Sequence, residues 1–253
     1  MRQLRAFVKK EFTDQLRSGK LFILGAVFLL FGIMSPATAK LTPKLLELVA
    51  EQDSGFKIDV VREVTAVDSF DQFFKNISTA LIVFVILQAG IFTKEYSSGT
   101  LLLSLTRGMV RRRVIAAKTL TLVLLWTAGY FFCFGVAYGY TAFYWDVSAV
   151  PDLFEAVMLW WIYGLWYISL IVFFSVFIST AVGVIFCVGA VYLFYSLLGM
   201  IPRVGKYLPT YLPNAGSLTH GESLSFTVPL AAALSLIVLL LAASIPIFNR
   251  KQV

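Results

Sequence analysis

Charge is scarce in this chain. Only 14% of its 253 residues are Asp, Glu, Lys or Arg and 59% are hydrophobic, whereas a soluble domain carries about a quarter charged residues. That shortage excludes a large water-facing surface. Cysteine is nearly absent. Cys133 and Cys187 lie inside apolar runs, have no CxxC spacing and no nearby histidine, so they read as small apolar residues rather than a disulfide framework or metal site. His220 is the single histidine, in a proline-containing stretch, and reads as a solvent-facing loop residue rather than a proton sensor. There is no HExxH and no Walker A sequence. The nearest approach to the latter, Gly199 to Gly205-Lys206, has one residue too many and continues into Tyr207. The carboxylates of residues 40–76 lack the spacing of a calcium loop and read as a solvated face. No residue is therefore assigned to catalysis, to a cofactor or to a metal, and the chain reads as a non-enzyme. No ionisable residue falls well inside an apolar run, which argues against an ion-coupled carrier.

What is present is long apolar runs. Runs of about 18 or more residues are read as membrane-crossing helices. The chain is expected to be all-α and polytopic, with spans at 21–39, 77–93, 114–144, 153–178, 184–201 and 226–248. The third, about 46 Å long at 1.5 Å per residue, exceeds an apolar core of roughly 30 Å and should project beyond it. Residues 1–20 put Leu4, Phe7, Val8, Phe12 and Leu16 at helical spacing between cations, the pattern of an interfacial amphipathic helix. With six spans, 14 of the 21 Lys/Arg but only 3 of the 14 Asp/Glu fall on the side shared by both termini. That side is expected to be cytoplasmic. The net charge of +7 is thus a topology signal, and no nucleic-acid partner is inferred.

Between those spans the outer connections carry further expectations. Pro43 suits the first turn of a short helix, and Asp68 or Ser69 the start of another through Phe70, Phe73 and Phe74. Residues 202–225, with Pro202, Pro209 and Pro213, suggest broken helices dipping into the outer leaflet. Gly135 and Gly139 form a GxxxG that permits close helix approach, expected here within one subunit. Tyr130, Phe134, Tyr138, Tyr192 and Tyr195 place aromatics on the third and fifth spans. Tyr138 and Tyr192 are the candidates for lining a path.

Residues 94–118 stand apart. They hold Lys94, Arg107, Arg111, Arg112, Arg113 and Lys118 between two apolar runs. Gly99 should break the helix that Glu95 ends, and Thr100 can cap a new one. Leu101, Leu102, Leu103 and Leu105 then give that helix an apolar face, and Gly108 can end it. Such a helix either lies on lipid headgroups or docks on a protein.

These residues resemble the ABC-2 type permeases, the membrane subunits of a class of ATP-binding cassette exporters. That family carries a Glu, three variable residues, Gly-Thr, a leucine-rich turn, then Pro, a basic residue and Lys. Glu95, Gly99, Thr100, Leu101, Arg111 and Lys118 fall at that spacing; Gly108 stands at the usual proline and Leu102 at a commonly acidic position. The resemblance extends over nearly the whole chain. It implies a single transmembrane domain over 1–253 whose loop 94–113 couples, through Glu95, Gly99, Thr100, Leu101, Leu105, Arg111 and Lys118, to a separate ATP-binding cassette subunit. ATP and Mg would sit on that partner. A second permease, identical or related, would complete the path, and membrane lipid surrounds it in the plasma membrane of a prokaryote. The expected function is export of a hydrophobic or amphipathic substrate. The alternative is a membrane scaffold or a subunit of a polytopic enzyme complex.

Overall fold

The structure, a computed structural model, describes residues 2–52, 63–99 and 110–250. Among them the regular elements are helical, and six helices are long and apolar enough to cross a membrane. An amphipathic helix α1 (Arg2–Arg17) leads into α2 (Lys20–Gln52). The chain returns through α3 (Ala66–Gln88) and the short α4 (Gly90–Ser98). It crosses again in α5 (Arg111–Tyr144), α6 (Leu153–Phe177) and α7 (Ala181–Gly199). A turn of helix α8 (Pro202–Gly205) and a 3-10 segment (Pro209–His220) precede α9 (Thr227–Arg250). The crossings alternate in direction. One pole of the bundle therefore gathers α1, α4 and the end of α9, and the opposite pole gathers the 3-10 segment and the start of α3.

Two connections differ from their expected form. Residues 40–52 continue α2, with Pro36 and Pro43 inside it, so Pro43 starts no new helix. Each proline removes one backbone hydrogen bond, here those to Gly32 O and Ala39 O, without forcing an end in a helix of this kind. Likewise no separate short helix starts at Asp68 or Ser69. Thr65 is the N-cap of α3 itself, and Asp68 accepts from the Thr65 N–H at 2.8 Å. The helix then runs on because Phe70, Phe73, Phe74, Ile77, Leu81 and Phe84 form one uninterrupted buried stripe at spacings of three and four.

Helix α6 is the centre of the bundle. It packs against α3, α5, α7, α9 and the 3-10 segment, and 67% of its most apolar stretch is buried, against 11% for α7 and for α9. The core between α2, α3, α5 and α6 is aromatic. Trp126 is fully buried and meets Phe28, Phe84 and Tyr130 with ring centroids 5.3–6.0 Å apart. Its indole N–H donates to Trp161 O at 3.1 Å, and the Tyr130 hydroxyl to Val157 O at 2.7 Å. These bonds satisfy the polar tips in an otherwise apolar layer. Tyr130 is thus a core residue, and it faces no aqueous path.

Close helix approach occurs away from the GxxxG. A Cβ at Gly164 would lie 2.1 Å from the Trp126 ring, and one at Gly129 2.4 Å from the Phe28 ring. Among the described residues nothing lies within 4 Å of a Cβ at Gly135 or Gly139. The expected packing of that GxxxG within one subunit is therefore not found. The large rings of Trp126 and Phe28 need sockets, and glycines opposite them supply the room.

Candidate functional site

Helix α1 is amphipathic, but the face it buries is not wholly apolar. Phe7, Glu11 and Gln15, four residues apart on one side, are 4–5% exposed, whereas Leu16, expected on the apolar side, is 45% exposed. Burying a carboxylate is costly unless it is paired, and the pair is supplied from α5. Lys118, 1% exposed, sits two turns into α5 and points between α1 and α4. Its Nζ lies 3.1 Å from Glu11 Oε1 and 3.1 Å from Glu95 Oε2, and donates to Ile91 O at 2.7 Å. The ammonium thus hydrogen-bonds Glu11 and Ile91 O and ion-pairs with Glu95. Lys10 closes the cluster, hydrogen-bonded to Glu95 and 3.6 Å from Glu11.

The cluster is insulated on its sides. Phe7 and Phe92 place their ring centroids 5.7 and 5.3 Å from the Lys118 ammonium, within cation–π range. Next to it the buried amides of Gln15 and Gln88 exchange hydrogen bonds of 2.8 and 3.3 Å, pinning α1 to the end of α3. Lys20 donates to Leu87 O at 2.6 Å. The open side is a polar cleft of about 380 Å³ that Asp14 and Lys94 also line. Burial, followed by the neighbouring Glu95 carboxylate, raises the Glu11 carboxyl above its ordinary value, against the pull of Lys118. For Lys10, burial acts downward, but Glu95, Glu11 and Asp14 together raise its ammonium above its usual range.

Lys10 and Lys118 face Glu11 and Glu95, and Lys10 also lies 3.7 Å from Asp14, so cations and carboxylates alternate in the cluster. The arrangement suits a mechanical tie. Three helices distant in sequence are held by one buried ammonium, and none can shift without exposing or orphaning a charge. Among the described residues no group of three or more His, Cys, Asp or Glu stands where it could hold a metal ion.

The expected coupling residues divide. Glu95 and Lys118 meet in the cluster. Gly99 follows the last residue of α4 with φ of 66°, left-handed backbone that glycine adopts without strain. Arg111, in the first turn of α5, donates to Phe248 O at 2.7 Å and Asn249 O at 3.3 Å, placing a cation on the carbonyl end of α9. Thr100, Leu101 and Leu105 lie outside the described residues. Tyr138 packs against Phe70 and Phe134. Tyr192 packs instead on Tyr167 and lines a cavity between α3, α6 and α7.

Sequence reasoning missed Lys10, Glu11, Gln15 and Gln88. One signal was available. Phe7, Glu11 and Gln15 recur every four residues, so two polar residues share a helix face with a buried aromatic. Lys118, inside the expected third span, is buried towards the α1-side end of α5.

Six apolar helices, and a buried ion cluster tying three helices at one pole, define a multi-pass helical membrane protein. The family model described as ABC-2 family transporter protein matches residues 5–253, and the chain belongs to that family. It is a membrane component of an ABC-2 type transporter. No curated protein matches the chain.

Proposed function

We propose that the chain is the permease subunit of an ATP-binding cassette exporter and that the Glu11–Lys118–Glu95 cluster transmits the ATPase stroke into the bundle. ATP and Mg bind on a separate ATP-binding subunit, and a second permease completes the path. The α1 pole, with both termini, is cytoplasmic in a prokaryotic plasma membrane. The positive charge of that pole supports this orientation. The observation that carries the coupling reading is the placement of the cluster. Residues 100–109 join α4 to α5, and their flanking helices are locked to each other and to α1 through Lys118. A push on that connection is therefore delivered to α4, α5 and α1 together. Such a rigid unit has the property needed for a two-state element biased by nucleotide.

The test is a double substitution, Leu101→Asp/Leu105→Asp. Burying one leucine contributes roughly 1.5–3 kcal/mol, so two charges in that contact should release the ATPase or uncouple its hydrolysis from cargo while the permease still inserts. Full retention of the ATPase in a pull-down, with normal cargo-dependent hydrolysis, rejects the coupling role. The scaffold alternative predicts no cargo-dependent hydrolysis in the unmodified complex.

A further inference from the structure

At the pole opposite α1, one face of α3 changes character along its length. Asp71, Lys75, Ser78, Ile82 and Ile86 follow one another at spacings of three and four, so they form one stripe. The stripe begins charged and ends apolar. Its apolar half walls a cavity of about 290 Å³ with Tyr163 and Tyr167 of α6 and Val188 and Tyr192 of α7. Its charged half borders a wider, polar mouth of about 570 Å³, where Ser217, His220 and Glu222 face it. Ser78, Trp160 and Pro213 line both spaces, so the two adjoin. The mouth has a fixed frame. His220 Nε2 lies 3.0 Å from both oxygens of Asp71, joining the 3-10 segment to α3, and the Trp160 indole donates to Pro213 O at 3.1 Å.

Within that frame two charges remain uncommitted. Among the described residues, the side chains of Lys75 and Glu222 have neither an ion pair nor a hydrogen bond, and both line the mouth. The inner cavity lies at the lower edge of the roughly 300–1,000 Å³ typical of small-molecule sites. That size suits one apolar chain and excludes a bulky ring system. We infer that this groove binds a single-chain amphiphile with a zwitterionic head: the chain lies between α3 and α7, the anionic group of the head meets Lys75, and its cationic group meets Glu222. The pairing of one free cation with one free anion at the rim of an apolar slot selects this occupant over a fatty acid or a neutral glycolipid. Calling the occupant cargo rests on the exporter reading. The binding does not, because it is measured without ATP or a partner, and a permease uncoupled by Leu101→Asp/Leu105→Asp still binds.

The experiment uses the full chain in phosphatidylglycerol vesicles with a trace of lysophosphatidylethanolamine bearing a diazirine at its chain end. After illumination, adducts are mapped by mass spectrometry. They are expected on Ile82, Ile86 or Val188. Gly189 lines the cavity and has open space where a Cβ would stand, so Gly189→Leu fills the slot without strain and should cut labelling roughly tenfold. Lys75→Glu, at an exposed position, should cut it roughly threefold, the size of an exposed ion-pair effect. A diazirine fatty acid of equal length should label less than the zwitterion. Undiminished labelling of Gly189→Leu, or equal labelling by both probes, overturns the inference. So does a disulfide between two copies of an Ile82→Cys variant, made in a background lacking Cys133 and Cys187, that forms in place of lipid labelling and assigns the groove to a subunit contact.

Discussion

Replacing Lys118 by methionine tests the buried tie most directly. Methionine keeps much of the length and volume of the side chain while removing the ammonium, so lost packing contributes little. Its loss leaves the Glu11 and Glu95 side chains, 6% and 11% exposed, facing each other. Breaking a buried pair from one side costs about 3–5 kcal/mol. Lys10 still reaches both carboxylates but is 39% exposed, so it offsets part of the cost, and about 3 kcal/mol is expected. For a chain of this size that corresponds to a fall in Tm of roughly 6–12 °C. The double variant Lys118→Met/Glu11→Gln leaves Glu95 with Lys10 and removes the like-charge contact. It should therefore recover stability relative to Lys118→Met, with a coupling energy of about 0.5–3 kcal/mol. The assay is thermal unfolding in detergent followed by tryptophan fluorescence, with protease cleavage within α1 as a local readout and Lys9→Met, at an exposed position, as control. A Lys118→Met protein indistinguishable from the Lys9→Met control, or strictly additive effects in the double variant, would refute the tie.

Three other outcomes follow from the structure. The Glu11 carboxyl is raised above the usual 4.5, so the folded state holds its proton more tightly than the unfolded one; wild type should lose stability relative to Glu11→Gln as pH rises from about 4.5 through the raised value, and a wild type that gains stability relative to Glu11→Gln over that range contradicts the cause given. Gly164→Ala drives a Cβ into the Trp126 ring and should cost about 1–3 kcal/mol, whereas Gly139→Ala, in open space, should leave thermal stability unchanged; equal effects at the two sites would reject the socket argument. Topology is best probed at Asn214 and Lys9, both exposed, in a background lacking Cys133 and Cys187, because Ala215 next to Asn214 is fully buried: an impermeant thiol reagent should label Asn214→Cys in intact cells and Lys9→Cys only after permeabilisation, and the reverse pattern inverts the orientation.

The number and approximate places of the six apolar helices were legible in the sequence because a bilayer imposes a one-dimensional rule. A segment must be apolar for about 20 residues or it does not cross, and that property is carried by consecutive residues. The break at Gly99 was legible for a similar local reason, since left-handed backbone favours a residue without a Cβ. Helix ends were less so. Thr65, and not Asp68 or Ser69, starts α3, because the end depends on which capping geometry forms and on whether Phe70, Phe73 and Phe74 find neighbours. What tertiary structure alone decided is the pairing across distance. Glu11 and Lys118 are separated by 107 positions, and no local pattern states that α1 lays Glu11 beside α5. The same holds for Gly164, whose role exists only because Trp126 of another helix needs its space, and for Gly135 and Gly139, whose spacing promised a contact that no described helix of this subunit makes. Periodicity tells which side of a helix is buried. What that side meets is set by how the helices pack, because a buried charge or a missing side chain takes its meaning from the group opposite.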